Sequence, residues 1–121
     1  MGGCVTGLLI EQYHWARPAA EAVDDLIATR ESGCDPHAYN RTSCLGPCFG
    51  LVQWDRKRWR GHLARCRLNG LNPYSVEAQV ATLVAEWLVI WPHAAARIQH
   101  EDRHHAKATF AYYFLAGHAD R

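Results

Sequence analysis

A chain of 121 residues is long enough for one domain with a true core and too short for two. Hydrophobic residues make up 49% and charged residues 21%, an ordinary balance for a globular chain, and a formal charge of +1 gives no global reason to expect a nucleic-acid partner. No apolar run approaches the ~18 residues that span a membrane, and the short apolar run 5–10 lacks the basic flank of a recognisable signal peptide.

Residues 1–17 read as an N-terminal extension, in which Val5 to Tyr13 suits a short helix or a strand. Pro18 then fits the first turn of a helix. From Pro18 to Glu31 the pattern is helical: Ala19, Ala22, Val23, Leu26 and Ile27 share one face, with Glu21, Asp24 and Asp25 opposite. Gly33 follows as a stop. Residues 32–50 hold three Cys, two Pro and three Gly and predict a structured loop with room for a small hairpin; a loop this long in a small domain usually carries function.

Helix resumes over 54–68, with Trp59, Leu63 and Cys66 on one side, and ends at Asn69-Gly70. Its basic run of Arg56, Lys57, Arg58, Arg60, Arg65 and Arg67 suits a solvated face, or docking on anionic polymers such as cell-wall material. Ser75 to Trp91 is the strongest helix, with Val76, Val80, Leu83, Val84, Trp87, Leu88 and Trp91 in one stripe. Pro92 stops it or opens the next, a short helix over 94–99. A last one runs from about His104 to Ala116, burying Ala106, Phe110, Tyr113 and Phe114. The expected fold class is mostly α, a single domain spanning 1–121, with 18–116 as its core and five to six helices around a long loop or small hairpin.

Of the five cysteines, one bridge among Cys34, Cys44 and Cys48 would pin the loop in an oxidising setting. The odd count leaves a thiol free, and spacing does not fix the pairing, with Cys4 and Cys66 also available. Cys44-x-x-x-Cys48 has zinc-ligand spacing but lacks a second pair, and the run His100-Glu101-Asp102-x-His104-His105 reads as solvated. No metal and no other cofactor are expected.

Glu31 is the foremost chemical candidate. A carboxyl at the end of an amphipathic helix can face a cleft, and partial burial raises its pKa toward that of a general acid. The series Glu31-Ser32-Gly33-x-x-Pro36-x-Ala38-x-Asn40, followed by Gly50-Leu51-Val52-Gln53-Trp54, resembles the lysozyme-like superfamily of soluble lytic transglycosylases and phage lysozymes. With Arg58, Leu63, Ser75-x-x-x-Gln79, Ala85-Glu86-Trp87 and the closing Ala106-x-x-x-Phe110-x-x-x-Phe114, it is similar to the phage tail lysozyme family over roughly 19–116. The family usually has a short Ser/Gly segment where this chain has the cysteine-rich 41–48.

The resemblance implies a lysozyme-like fold and cleavage of the β-1,4 bond between N-acetylmuramic acid and N-acetylglucosamine, with Glu31 as the acid and Gln53 lining the sugar groove. The amide of Gln53 can donate to and accept from sugar groups. Asn40 and Tyr39 would reach the sugar from the loop, Ser32 would hydrogen-bond backbone to hold the cleft together, and Trp54 would stack on a pyranose or pack in the core. Asp35 and Asp55, the nearest candidates for a second carboxylate, read as turn or cap residues. Glu86 reads as structural, paired with Arg58 or Arg97. One carboxyl suffices for a transglycosylase, in which the sugar's own 6-hydroxyl attacks, whereas glycosidases commonly use two.

The expected partners are peptidoglycan strands and phage tail or virion proteins, with neither nucleic acid nor membrane. The expected setting is virion-associated, or extracellular or periplasmic, with a particle delivering the chain. Two rival classes use other features: a non-catalytic glycan-binding or structural component of a phage or secretion particle, with Glu31 idle, and a small DNA-binding module built on the basic helix.

Overall fold

A computed structural model describes residues 3–121. The described residues are mostly helical, with six α-helices and a small antiparallel sheet of three strands. The helices are α1 Thr6–Glu11, α2 Arg17–Leu26, α3 Arg56–Asn69, α4 Val76–Ile90, α5 Pro92–Ile98 and α6 Arg103–Phe110. Both α2 and α6 run on into a wider π-helical turn, Ile27–Glu31 and Ala111–Leu115 respectively. The strands β1 Tyr39–Asn40, β2 Cys48–Phe49 and β3 Trp54–Asp55 lie in that order, Tyr39 opposite Phe49 and Phe49 opposite Trp54.

Helix limits follow the local chemistry. The side chains of Asp55, Ser75 and Asp102 accept from backbone N–H groups of the first turns of α3, α4 and α6, satisfying donors that have no partner inside the helix. Gly70, at φ 64°, ends α3 in the left-handed conformation, and Pro92 opens α5.

The core lies between α2, α4 and α6, where Leu26, Ile27, Leu83, Trp87, Phe110 and Phe114 are all but inaccessible. The rings of Phe110 and Phe114 stack at 4.7 Å, with Trp87 tilted against Phe110. On the surface, Lys107 of α6 pairs with Asp25 of α2.

Three features depart from the expected organisation. Val5, Leu9 and Trp15 are buried in this same core, so the first helix is an integral part of the domain. The buried Asp24 carboxylate accepts from Val5 N, Thr6 N and Thr6 Oγ1, each at 2.8 Å, which lets a residue of α2 cap α1 from outside it. At the other end Asp120 accepts from His93 N and Ala94 N, so the tail beyond 116 caps α5. The buried stripe of α4 is narrower than its apolar residues suggest: Leu88, Val89 and Ile90 are exposed.

Candidate active site

Glu31 closes the π-helical turn. Ser32 N and Gly33 N both donate to Ile27 O, at 3.0 and 3.2 Å, and this widening, a feature frequent at functional sites, turns the chain out of the helix at Glu31. Cys34 follows with φ 65° and is bonded to Cys4, which ties the helix end to the residues just before α1. The Glu31 carboxyl is half-buried. Its pKa is raised above the ordinary 4.5 because burial disfavours the charged form, against a smaller opposing effect of the Arg30 guanidinium.

Glu31 lines a cleft of about 290 Å³ together with Arg30, Asn40, Gln53, Arg58 and Phe114. A second disulfide, Cys44–Cys48, forms part of its wall. Among the described residues that line it, Glu31 is the one carboxylate. Asp35 accepts from His37 N in a turn, and Asp55 caps α3; neither reaches the cleft.

The fold thus brings Glu31, Asn40 and Gln53 together, with less freedom than their side chains suggest. Gln53 sits at φ 56°, and its Nε2 donates to Gly50 O at 3.0 Å and Ala38 O at 3.4 Å. The amide therefore offers a ligand an acceptor, Oε1, rather than both functions. Asn40 Oδ1 accepts from Thr42 N and Ser43 N at 3.1 and 3.0 Å, which commits the oxygen to the loop and leaves the Nδ2 donor.

The structure places three other candidates away from the cleft lining. Tyr39 is 59% exposed, but neighbouring side chains on a strand point to opposite faces; with Asn40 on the cleft side, Tyr39 packs against Phe49 at 5.2 Å and lies outside the cleft lining. Trp54 is 1% exposed, stacks on His62 at 5.2 Å and donates from Nε1 to Glu86 Oε1 at 2.7 Å. It is a core ring with no face for a sugar. Ser32 lines no part of the cleft, and its buried Oγ has no hydrogen-bond partner, so it does not hold the cleft through backbone.

Glu86 is structural. Besides Trp54 it accepts from Arg58 Nε and Nη2 at 3.0 and 2.8 Å. The fork holds the Arg58 guanidinium, which also lies over the Phe114 ring at 4.8 Å, in the cleft wall. The sequence offers Arg58 as a partner of Glu86 and Phe114 as a buried residue of the last helix; the structure adds both to the cleft lining.

A brace stands behind the site. Gln79 is fully buried on α4; it accepts from Leu51 N at 2.8 Å and donates to Pro36 O at 2.8 Å and Pro73 O at 3.0 Å. One amide thus joins the loop after Glu31, the Gly50–Gln53 turn and the α3–α4 connection. Its sequence signal is a lone amide within an apolar stripe. The His/Glu/Asp run before α6 gives Asp102 as a helix cap paired with His105. The ligand atoms of Cys4, Asp24 and Cys34 converge within 4.8 Å, but the two sulfurs are bonded to each other and are not available as thiolates.

Comparisons with protein families, with curated proteins and with solved structures return no match.

Proposed function

We propose that the protein cleaves peptidoglycan glycan strands at the β-1,4 bond between N-acetylmuramic acid and N-acetylglucosamine, with Glu31 as general acid on a lysozyme-like fold. The observation that carries this reading is the position of a half-buried Glu31, its pKa raised by burial, in one cleft with Gln53 and Asn40. A carboxyl that keeps its proton above the usual range can protonate a glycosidic oxygen. Gln53 Oε1 would accept from a sugar hydroxyl or acetamido N–H, and Asn40 Nδ2 would donate to a sugar oxygen.

With no second carboxylate among the described lining residues, the site suits a single-acid route. The proton of Glu31 passes to the leaving oxygen, the glycosidic bond breaks, and the sugar's 6-hydroxyl closes on the anomeric carbon while giving its proton back to Glu31. This is the lytic transglycosylase outcome; a lysozyme uses water as the acceptor and commonly a second carboxylate. Two disulfides suit an oxidising compartment, and no described helix is long and apolar enough to cross a membrane. A phage-tail component opening the wall locally, in contact with other virion proteins, and a secreted or periplasmic enzyme both fit this setting.

The test is clearing of purified peptidoglycan by wild type and by Glu31→Gln, with mass spectrometry of the products. Clearing by wild type alone supports the reading, and anhydro ends identify the 6-hydroxyl as acceptor. Binding without clearing by both proteins would leave a glycan-binding or structural particle component in its place.

A further inference from the structure

We infer that the exposed face of α3 is a docking surface for a phosphodiester-linked anionic polymer of the cell wall. Helix α3 has 14 residues and is about 21 Å long at 1.5 Å per residue. Trp59, His62 and Cys66 bury one side of it, while Arg56, Lys57, Arg60, Arg65 and Arg67 are all exposed. Arg56, Arg60 and Arg67, spaced by four and seven residues, stand in line along one edge of that face.

The cations at the start of α3 are not there to stabilise the helix, whereas Arg67, in its last turn, suits the dipole. Among the described residues, none of the five is in an ion pair; the pairs involve Arg17, Arg58, Arg97, Lys107 and two histidines. Arg56 and Lys57 occupy the first turn of α3, which contains no acidic residue and where the helix dipole disfavours positive charge. Arg56 and Arg60 are like charges at i, i+4, which repel. Arg58, in the same turn, has Glu86 to offset its charge; its neighbours have nothing comparable. Retaining charge where it weakens the helix points to a partner that supplies the missing anions.

The partner's chemistry follows from the residue types. Four of the five are arginine, whose planar fork takes phosphate oxygens in pairs, and a linear strip matches anions repeated along a backbone. Carboxylates on flexible peptide branches match it less well. The exposed face of α3 bears no aromatic ring on which bases could stack. The net charge of +1 confines the attraction to this strip. Because α3 begins directly after β3 and carries Arg58 into the cleft wall, a polymer held there keeps the cleft against the wall.

The inference goes beyond the proposed cleavage and is tested without turnover. Glu31→Gln protein is sedimented with whole walls rich in phosphodiester polymer, and with the same walls stripped of it by cold hydrofluoric acid. We expect binding to whole walls that weakens about twenty- to a hundredfold between ~50 and ~200 mM salt, the range for three to five phosphate contacts on a flexible polyanion, and little binding to stripped walls. Adding Arg56→Gln, Arg60→Gln and Arg67→Gln should cost at least about tenfold. The corresponding Lys variant, which keeps the charge but not the fork, should recover only part of the binding, and Arg17→Gln, Arg103→Gln and Arg121→Gln should leave it unchanged.

Binding indifferent to stripping, an equal loss in the two Gln sets, or equal affinity for duplex DNA or anionic vesicles would each overturn the inference. Failure of wild type to clear stripped peptidoglycan bears only on the proposed cleavage and leaves this binding result standing.

Discussion

Gln79 on α4 accepts a hydrogen bond from the backbone N–H of Leu51 at 2.8 Å, fixing the turn that presents Gln53. The same amide donates to Pro36 O and Pro73 O, so Gln79→Leu leaves Leu51 N and Pro36 O without this partner, while Pro73 O keeps its bond from His62 Nε2. Each orphan costs on the order of 1–3 kcal/mol, and the variant should lose about 2–4 kcal/mol in chemical denaturation. Gln79→Glu keeps an acceptor for Leu51 N but sets a buried carboxyl against two carbonyl oxygens, and should cost at least as much at neutral pH. Gly50→Ala tests the same contact from the other side, because an added Cβ would lie 2.7 Å from Gln79 Oε1 at a residue with φ 79°. A loss under about 1 kcal/mol for Gln79→Leu would show that the brace is not carrying the turn.

Burial of Glu31 predicts a pH signature as well as an activity. Its folded-state pKa lies above the ordinary 4.5, so the folded protein holds this proton more tightly than the unfolded chain. The resulting stabilisation is fully present below the unfolded value and is lost as pH rises through the folded one. Glu31→Gln should therefore melt above wild type at neutral pH, with the difference vanishing toward pH 4. Wild-type clearing activity should fall on the alkaline side of the same titration. A Gln variant that melts no higher than wild type at neutral pH would remove burial as the source of the raised pKa.

The two disulfides should separate stability from site geometry. Cys4 and Cys34 are 30 residues apart and Cys44 and Cys48 only four; in the chain-entropy treatment the longer closure stabilises by about 3–4 kcal/mol and the shorter by about 2. Serine pairs should follow that order in denaturant titrations. The Cys44–Cys48 pair lines the cleft, so its removal should reduce clearing by more than its smaller stability cost suggests. Equal losses of stability in the two variants would contradict the loop-length argument.

Some of this was open to sequence reasoning and some depended on through-space geometry. The limits of α3 and α4 are visible because Asp55, Ser75 and Gly70 act on their own neighbours. Glu31 as a helix-end carboxyl is visible for the same reason. Trp54 is harder: the residue before it, Gln53, takes a left-handed φ that no glycine advertises, and β3 then turns the indole inward to Glu86. The Cys4–Cys34 pair depends on α1 docking beside α2 through Asp24, a contact across nineteen positions at Val5 that spacing within the loop cannot reveal. Leu88 looks like core because its helical phase fits the stripe, yet it is exposed, on the rim of a surface pocket that Tyr13 and Trp15 also line.

The Glu86 fork gives a further measurable consequence. Glu86→Ala leaves the Arg58 guanidinium and the Trp54 indole N–H without their acceptor. Breaking a fully buried pair costs 3–5 kcal/mol, but the Arg58 side chain is 31% exposed, and solvent screening brings the expected loss to roughly 2–3 kcal/mol. Trp54→Phe should cost stability through the same core without selectively weakening glycan binding, and Tyr39→Ala should leave both nearly unchanged. A selective loss of glycan affinity in Trp54→Phe, at wild-type stability, would return the indole to the site.

His62 should give the opposite pH sign to Glu31. It is fully buried, with Nε2 2.8 Å from Pro73 O and Nδ1 2.7 Å from Thr82 Oγ1. A carbonyl can only accept, so Nε2 carries the proton and Nδ1 accepts from the threonine hydroxyl. Its pKa is lowered below 6.5, first by burial and then by Arg65, while the bond to Pro73 O and the Glu86 carboxylate oppose the shift. The unfolded chain therefore takes up this proton before the folded one does, and the stabilisation, complete above pH 6.5, is lost as pH falls from there through the folded value. Denaturant titrations at pH 5 and pH 7.5 should show wild type weakening on the acid side, with a smaller difference in His62→Gln, which has no proton to take up. The same acid slope in both proteins would assign it to the other histidines, and a ring that titrates at or above 6.5 by NMR would refute the buried neutral form.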